Sequence, residues 1–143
     1  MRTQLGTFAS MIFFLLILSF CTVQLHSVGY LKRSDIAIDP TYTVHVIDML
    51  KTADLTFHCQ SKDDDLGVQH PNPGEDFHWS FKENIFATTR FFCSFQRGQQ
   101  KQSFDVFNDK IRQHCIHCFW QVLDDGFYTT HDGTYYFKVY DWK

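Results

Sequence analysis

Residues 58–95 read HCQSKDDDLGVQHPNPGEDFHWSFKENIFATTRFFCSF, and the fold is decided there. Leading into this stretch, Leu55, Phe57 and Cys59 alternate with Thr56, His58 and Gln60, the period of two that marks a half-buried strand. Ser61-Lys62-Asp63-Asp64-Asp65 then turns the chain polar, and Pro71, Pro73 and Gly74 break it again. Phe77, Trp79 and Phe81 restore the alternation, and Phe91, Cys93 and Phe95 repeat it. Cys59 and Cys93 thus fall on the buried faces of separate strands, placed to staple a sandwich. That suits a small recognition module better than a catalytic site.

The same period extends outward. Tyr42, Val44 and Val46 alternate with Thr43, His45 and Ile47 over residues 41–48. Further strands are predicted near 55–60, 77–81, 88–95, 103–108, 115–123, 126–130 and 135–140, with residues 105–112 able to begin a helical turn. Asp124-Asp125-Gly126 reads as a hairpin turn, Asp132-Gly133 as a second tight turn, and Gly98-Gln99-Gln100-Lys101 as an exposed loop. About eight short strands separated by turn chemistry predict an all-β fold, an antiparallel β-sandwich. Of the 16 phenylalanines, four lie within the first twenty residues, and the others supply the core. Trp79 and Trp120 fall at inward positions, and Trp142 is placed to cover an end of the sandwich.

Upstream, Arg2 and the ten-residue apolar run at 11–20 (MIFFLLILSF) have the build of a secretory signal. The run is well short of the ~20 residues that cross a bilayer. A signal peptide over 1–27, cut between 21 and 29, would leave one domain at 28–143, secreted and without stable membrane insertion. All 16 acidic residues lie after the signal, so the mature chain carries a charge near −4. That balance argues against nucleic acid and anionic membranes as partners. No asparagine opens a glycosylation sequon.

Setting aside Cys21 in the signal region, four cysteines remain: Cys59, Cys93, Cys115 and Cys118. Four cysteines allow three pairings, and sequence alone does not choose among them. The expected set is Cys59 with Cys93 and Cys115 with Cys118. The second bridge needs a bulge or a bent strand start, because residues three apart on a regular strand face opposite ways. The Cys-x-x-Cys spacing also fits a redox motif or half a zinc site with His114 or His117. The redox motif wants a helix after it, and a structural zinc site wants four converging ligands. Structural disulfides are the better fit, and neither metal nor cofactor is expected.

The ordered set His58-Cys59-Gln60-Ser61-Lys62-Asp63-Asp64-Asp65-Leu66-Gly67, Phe77-His78-Trp79-Ser80-Phe81, Asn84-Ile85-Phe86 and Phe91-Phe92-Cys93 resembles the plant self-incompatibility S1 family, the S-protein homologues. Phe104-Asp105-Val106, Cys115-x-x-Cys118-x-Trp120 and Asp124-Asp125-Gly126-Phe127-Tyr128 follow in the family's order. The chain departs where Ala87 and Arg90 stand in place of a glycine and an apolar residue. The resemblance implies a small, secreted, disulfide-bonded β-sandwich, kin to stigma-secreted determinants that pollen perceives through a membrane receptor. It points to an extracellular ligand, expected as a monomer, that binds a cell-surface receptor protein and is no enzyme.

Recognition would fall to exposed polar loops, since loops vary freely on a rigid scaffold. The candidates are Lys62, Asp63, Asp64 and Asp65, the 68–76 loop, and Asp124 and Asp125. Three adjacent aspartates point in different directions and form neither a general acid–base pair nor a calcium loop. His45, His58, His78 and His131 lie on or beside strands as surface or satisfied residues. The contrasting reading is a secreted thiol-disulfide oxidoreductase at Cys115 and Cys118, or a hydrolase, although Ser61 and Ser80 have no evident His/Asp relay in the sequence.

Overall fold

The computed structural model describes residues 40–143, and within them the predicted alternation becomes nine strands in two layers. The predicted signal peptide lies outside the described residues. In chain order the strands are β1 (Thr41–Asp48), β2 (Leu55–Gln60), β3 (Asp65–Gln69), β4 (Asp76–Lys82), β5 (Phe91–Arg97), β6 (Gln100–Phe107), β7 (His117–Leu123), β8 (Gly126–Thr130) and β9 (Phe137–Tyr140). A single 3₁₀ turn, Ile111–Gln113, precedes β7. One sheet has the order β4-β1-β7-β8-β9 and the other β3-β2-β5-β6. Among the described residues no helix is long and apolar enough to cross a membrane.

The all-β sandwich is as expected, with two refinements. Strand β3 falls where a loop was expected, because it is a short edge strand. Of its residues only Leu66 packs against the core, and a register shift opposite β2 interrupts its pairing. Pairing is antiparallel throughout except between β1 and β7, which run parallel. The crossing from β6 enters β7 at the end where β1 also begins, so the two strands share a direction.

The layers are held together by rings from both sheets. Phe81 of β4 lies 4.6 Å from Phe91 of β5 and 4.8 Å from Phe107 of β6, centroid to centroid. Phe127 of β8 sits 4.9 Å from Phe95 and 5.0 Å from Phe104. Such tilted and edge-on pairs add to the gain from burying the rings themselves. Trp120 is buried, and its indole N–H donates to the Val106 carbonyl of the facing sheet at 3.0 Å. Trp142 packs on Phe127 at 4.5 Å and donates to the Leu123 carbonyl. Beside it, Lys101 and Lys143 exchange backbone hydrogen bonds of 2.8 and 2.9 Å, joining the last residue to β6.

Cys59 and Cys93 form a disulfide between directly opposed residues of β2 and β5. Both are fully buried against the core, but the bridge lies within one sheet and does not connect the two layers. The placement follows from register: β2 and β5 are neighbours, so their inward cysteines meet across one ladder. Cys115 and Cys118 form the second bridge. Strand β7 begins only at His117, two residues later than the alternation suggested, which leaves Cys115 in the bent segment that lets it reach Cys118. Gly126 opens β8, where a Cβ would collide with the Tyr140 carbonyl of β9. Close approach, as much as turn geometry, therefore requires glycine there.

Loop length sets the entropic contribution of each bridge. Losing Cys59–Cys93 (Cys59→Ala/Cys93→Ala) should cost about 3–4 kcal/mol in the chain-entropy model, and losing Cys115–Cys118 about 2 kcal/mol. Urea unfolding of the two double-alanine variants should show the first to be the less stable.

Candidate functional site

The registers sort the connecting loops onto two opposite ends of the sandwich. The β2–β3, β4–β5, β6–β7 and β8–β9 connections share one end, and β1–β2, β3–β4, β5–β6 and β7–β8 share the other. The loop residues singled out from sequence are thus divided. Lys62, Asp63 and Asp64 stand at the first end, while the 68–76 region and Asp124–Asp125 stand at the second.

At the second end the carboxylates are engaged within the fold. Asp124 pairs with Arg97 at 2.8 Å and with Lys51 at 3.6 Å, and Arg97 also reaches Asp54. Asp125 accepts the Tyr128 hydroxyl at 2.8 Å and pairs with Lys138 at 3.2 Å. The Tyr128 hydroxyl, followed by Lys138, holds the Asp125 carboxyl below the usual range. Exposed pairs of this kind, screened by solvent, contribute little to stability, yet they occupy the acidic groups. The 68–76 region is partly strand, and in its turn Glu75 accepts from the Asn72 backbone at 2.7 Å.

At the first end, Ser61 organises the acidic turn: its hydroxyl oxygen accepts the N–H groups of Asp63 and Asp64. Asp65 belongs to β3, not to the loop tip. Its carboxylate takes the His58 ring at 2.5 Å and the Gly67 N–H at 2.8 Å, and the His58 contact is the main cause of its lowered pKa. Facing this turn across a cleft of about 830 Å³ is the connection between β4 and β5, which includes Asn84, Phe86 and Arg90.

That connection is pinned at several points. Glu83 pairs with Arg112 at 2.9 Å, and Arg90 pairs with Asp105 at 2.7 Å while lying over the Phe92 ring. Between them Asn84 builds a small knot. Its side-chain oxygen accepts the N–H groups of Phe86 and Thr88, and its carbonyl accepts that of Ala87. On this fixed frame Ile85 is 93% exposed and Phe86 78% exposed. Ala87 takes φ +53°, a left-handed conformation that disfavours a Cβ.

Periodicity could not find Ile85 and Phe86 as a surface feature. They are adjacent and do not alternate, and the strand predicted from residue 88 begins instead at Phe91. An asparagine followed at once by two large apolar residues was the available signal.

The enzymatic readings find little support in the geometry. Cys118 is buried and the bridged pair runs into a strand, whereas a redox motif wants a helix there. The Ser61 hydroxyl donates to Asp64, and the Ser80 hydroxyl meets that of Thr43 at 2.8 Å; neither has a histidine partner among the described residues.

Comparison with known proteins gives a consistent picture. The sequence profile of the plant self-incompatibility protein S1 family matches residues 43–142. S-protein homolog 5 of Arabidopsis thaliana is 41% identical over 73 residues, which is 50% of this chain and 57% of that protein. Self-incompatibility protein S1 of Papaver rhoeas is 35% identical over 78 residues, 52% of this chain and 56% of that protein. The aligned stretches therefore span little more than half of each relative's own length. A solved structure of self-incompatibility protein homologues, described as small, highly stable, secreted proteins from plants, superposes with a TM-score of 0.59. That match covers 73% of this chain and 96% of the solved one at 17% identity, which shows a shared fold.

Two measurements probe this end of the sandwich. Ala87→Gly should raise stability by about 0.5–1 kcal/mol in urea unfolding, since relief of the left-handed Cβ outweighs the added chain entropy. In the β8–β9 turn, Asp132 accepts the backbone N–H groups of Thr134 and Tyr135, which hold its carboxyl well below the usual range. A carboxyl depressed on folding stabilises above its unfolded pKa of about 3.9, and that contribution fades as pH falls. Asp132→Ala should therefore be less stable than the parent at pH 7, and the gap between their thermal midpoints should narrow below about pH 4.

Proposed function

The chain belongs to the plant self-incompatibility protein S1 family, and from that premise we propose that it is a secreted ligand recognised by a protein on a cell surface. Secretion is supported by the apolar leader-like run at 11–20 and by the description of the structurally similar proteins as secreted. The ligand role is supported by the self-incompatibility protein of Papaver rhoeas among its relatives. It acts by binding, without turnover.

The observation that carries this reading is the exposure of Ile85 and Phe86 on a loop fixed by Asn84 and two ion pairs. Large apolar side chains held rigidly in water cost little further ordering when a partner covers them, which is the character of an interface anchor. Lys62, Asp63 and Asp64 rise on the opposite wall of the cleft and supply a polar rim. Asp124 and Asp125, engaged by their own cations at the far end, contribute least.

Binding is measured with labelled protein on plasma-membrane vesicles prepared from the plant's own tissues. Saturable binding is expected. Burying each of the two anchors is worth about 1.5–3 kcal/mol, so Ile85→Ser/Phe86→Ser should weaken binding about 100-fold or more. Asp124→Asn/Asp125→Asn should compete as the parent does. Equal competition by the Ile85/Phe86 variant would remove the proposed surface, and absence of saturable binding in every tissue would remove the ligand role.

A further inference from the structure

The outer face of the five-stranded sheet carries a cluster far from the loop anchors in character. His45 on β1 and His78 on β4 are direct cross-strand partners, and Asp76 lies two residues before His78 opposite Ile47. Val44 and Val46 are wholly buried, so alternation turns His45 outward; Phe77 and Trp79 pack on the core, so Asp76 and His78 turn outward with it. Opposed residues of an antiparallel pair hold their Cβ atoms about 4.5–5.5 Å apart, which lets the three side chains converge. His45 Nδ1 lies 2.8 Å from Asp76 Oδ2, and His78 Nδ1 lies 3.8 Å from the same oxygen. One donor atom from each side chain fits within 4.8 Å of the other two.

From this geometry we infer that His45, Asp76 and His78 form a binding site for a divalent transition-metal ion of the zinc class. Two imidazole nitrogens and one carboxylate oxygen suit zinc and its neighbours, whereas calcium and magnesium favour all-oxygen sites. Zinc bonds of about 2.0–2.2 Å at tetrahedral angles place neighbouring donors about 3.3 Å apart. The separations of 2.8 and 3.8 Å bracket that value, so small side-chain rotations complete the set.

The neighbouring strands prepare the central ligand. Phe119 of β7 stacks on the His45 ring at 4.4 Å, and His78 of β4 stacks on it at 5.1 Å. Among the described residues His45 Nε2 is buried without a hydrogen-bond partner, and the ring's polar contact is to Asp76 at Nδ1. The His78 and Asp76 side chains are 57% and 39% exposed, which gives the ion an entry path and leaves its fourth position to water.

The chain, purified from a secreting host without a polyhistidine tag, is titrated with zinc chloride by calorimetry and with cobalt(II) by visible absorption. One ion per chain is expected. His78→Ala and Asp76→Asn, both at exposed positions, should each weaken binding about tenfold or more, with circular dichroism confirming the fold. Zinc should raise the thermal midpoint of the parent and not that of His78→Ala. His114 and His131 form a second stacked pair, 4.7 Å apart, in the β6–β7 and β8–β9 connections; His114→Ala/His131→Ala should bind as the parent does. Equal affinity in His78→Ala and the parent, loss of binding in the His114/His131 variant instead, or no stoichiometric binding would overturn the site.

Discussion

Interdigitation of aromatic rings between the two sheets is the constraint on which the rest depends. The disulfide that first suggests a clamp between layers lies inside one of them, so cohesion of the layers falls to Phe81, Phe91, Phe95, Phe104, Phe107, Trp120 and Phe127. A domain of this size buries only about two-thirds of its unfolded surface. Large rings make the most of that area, and the Cys59–Cys93 bridge supports them by fixing β2 against β5 on the core side. The two devices are complementary: one holds the layers together, and the other restrains the unfolded chain.

Much of the fold was legible in the residues because alternation reports directly on a two-sided sheet. Strands β1, β2 and β8 are recovered with the bounds that periodicity suggests, and the inward placement of Trp120 with them. Strand β3 was not, because an edge strand with Gly67 at its centre buries too little on either face to leave a pattern. The parallel β1–β7 pair was equally hidden. Strand direction is set by where a connection crosses between layers, and no local composition records that.

The site was less legible than the fold. Polarity selected Lys62 to Asp65 together with Asp124 and Asp125, but polarity does not say which charges are already matched within the molecule. Arg97, lying between Asp54 and Asp124, and Lys138, reaching Asp125 across the β8–β9 pair, are assignments between separate elements that only register supplies. Apolar anchors suffer the opposite error, since a phenylalanine in a core-rich sequence is read as core. Phe86 escapes because Asn84 folds the backbone back on itself before the next strand begins. The meeting of His45 with Asp76 and His78 has the same origin, 31 residues of chain closed by one antiparallel ladder.

The backbone exchange between Lys101 and Lys143 bears on how such molecules behave in company. An open strand border invites a second chain to add to the sheet. Here part of the β6 border is already taken by the chain's own final residues, with Gln102 adding a bond to the Asp141 carbonyl. The opposite border of that sheet is β3, too short and irregular to template a neighbour. With part of one border taken and the other short and irregular, the four-stranded layer offers less open edge for a second copy to extend.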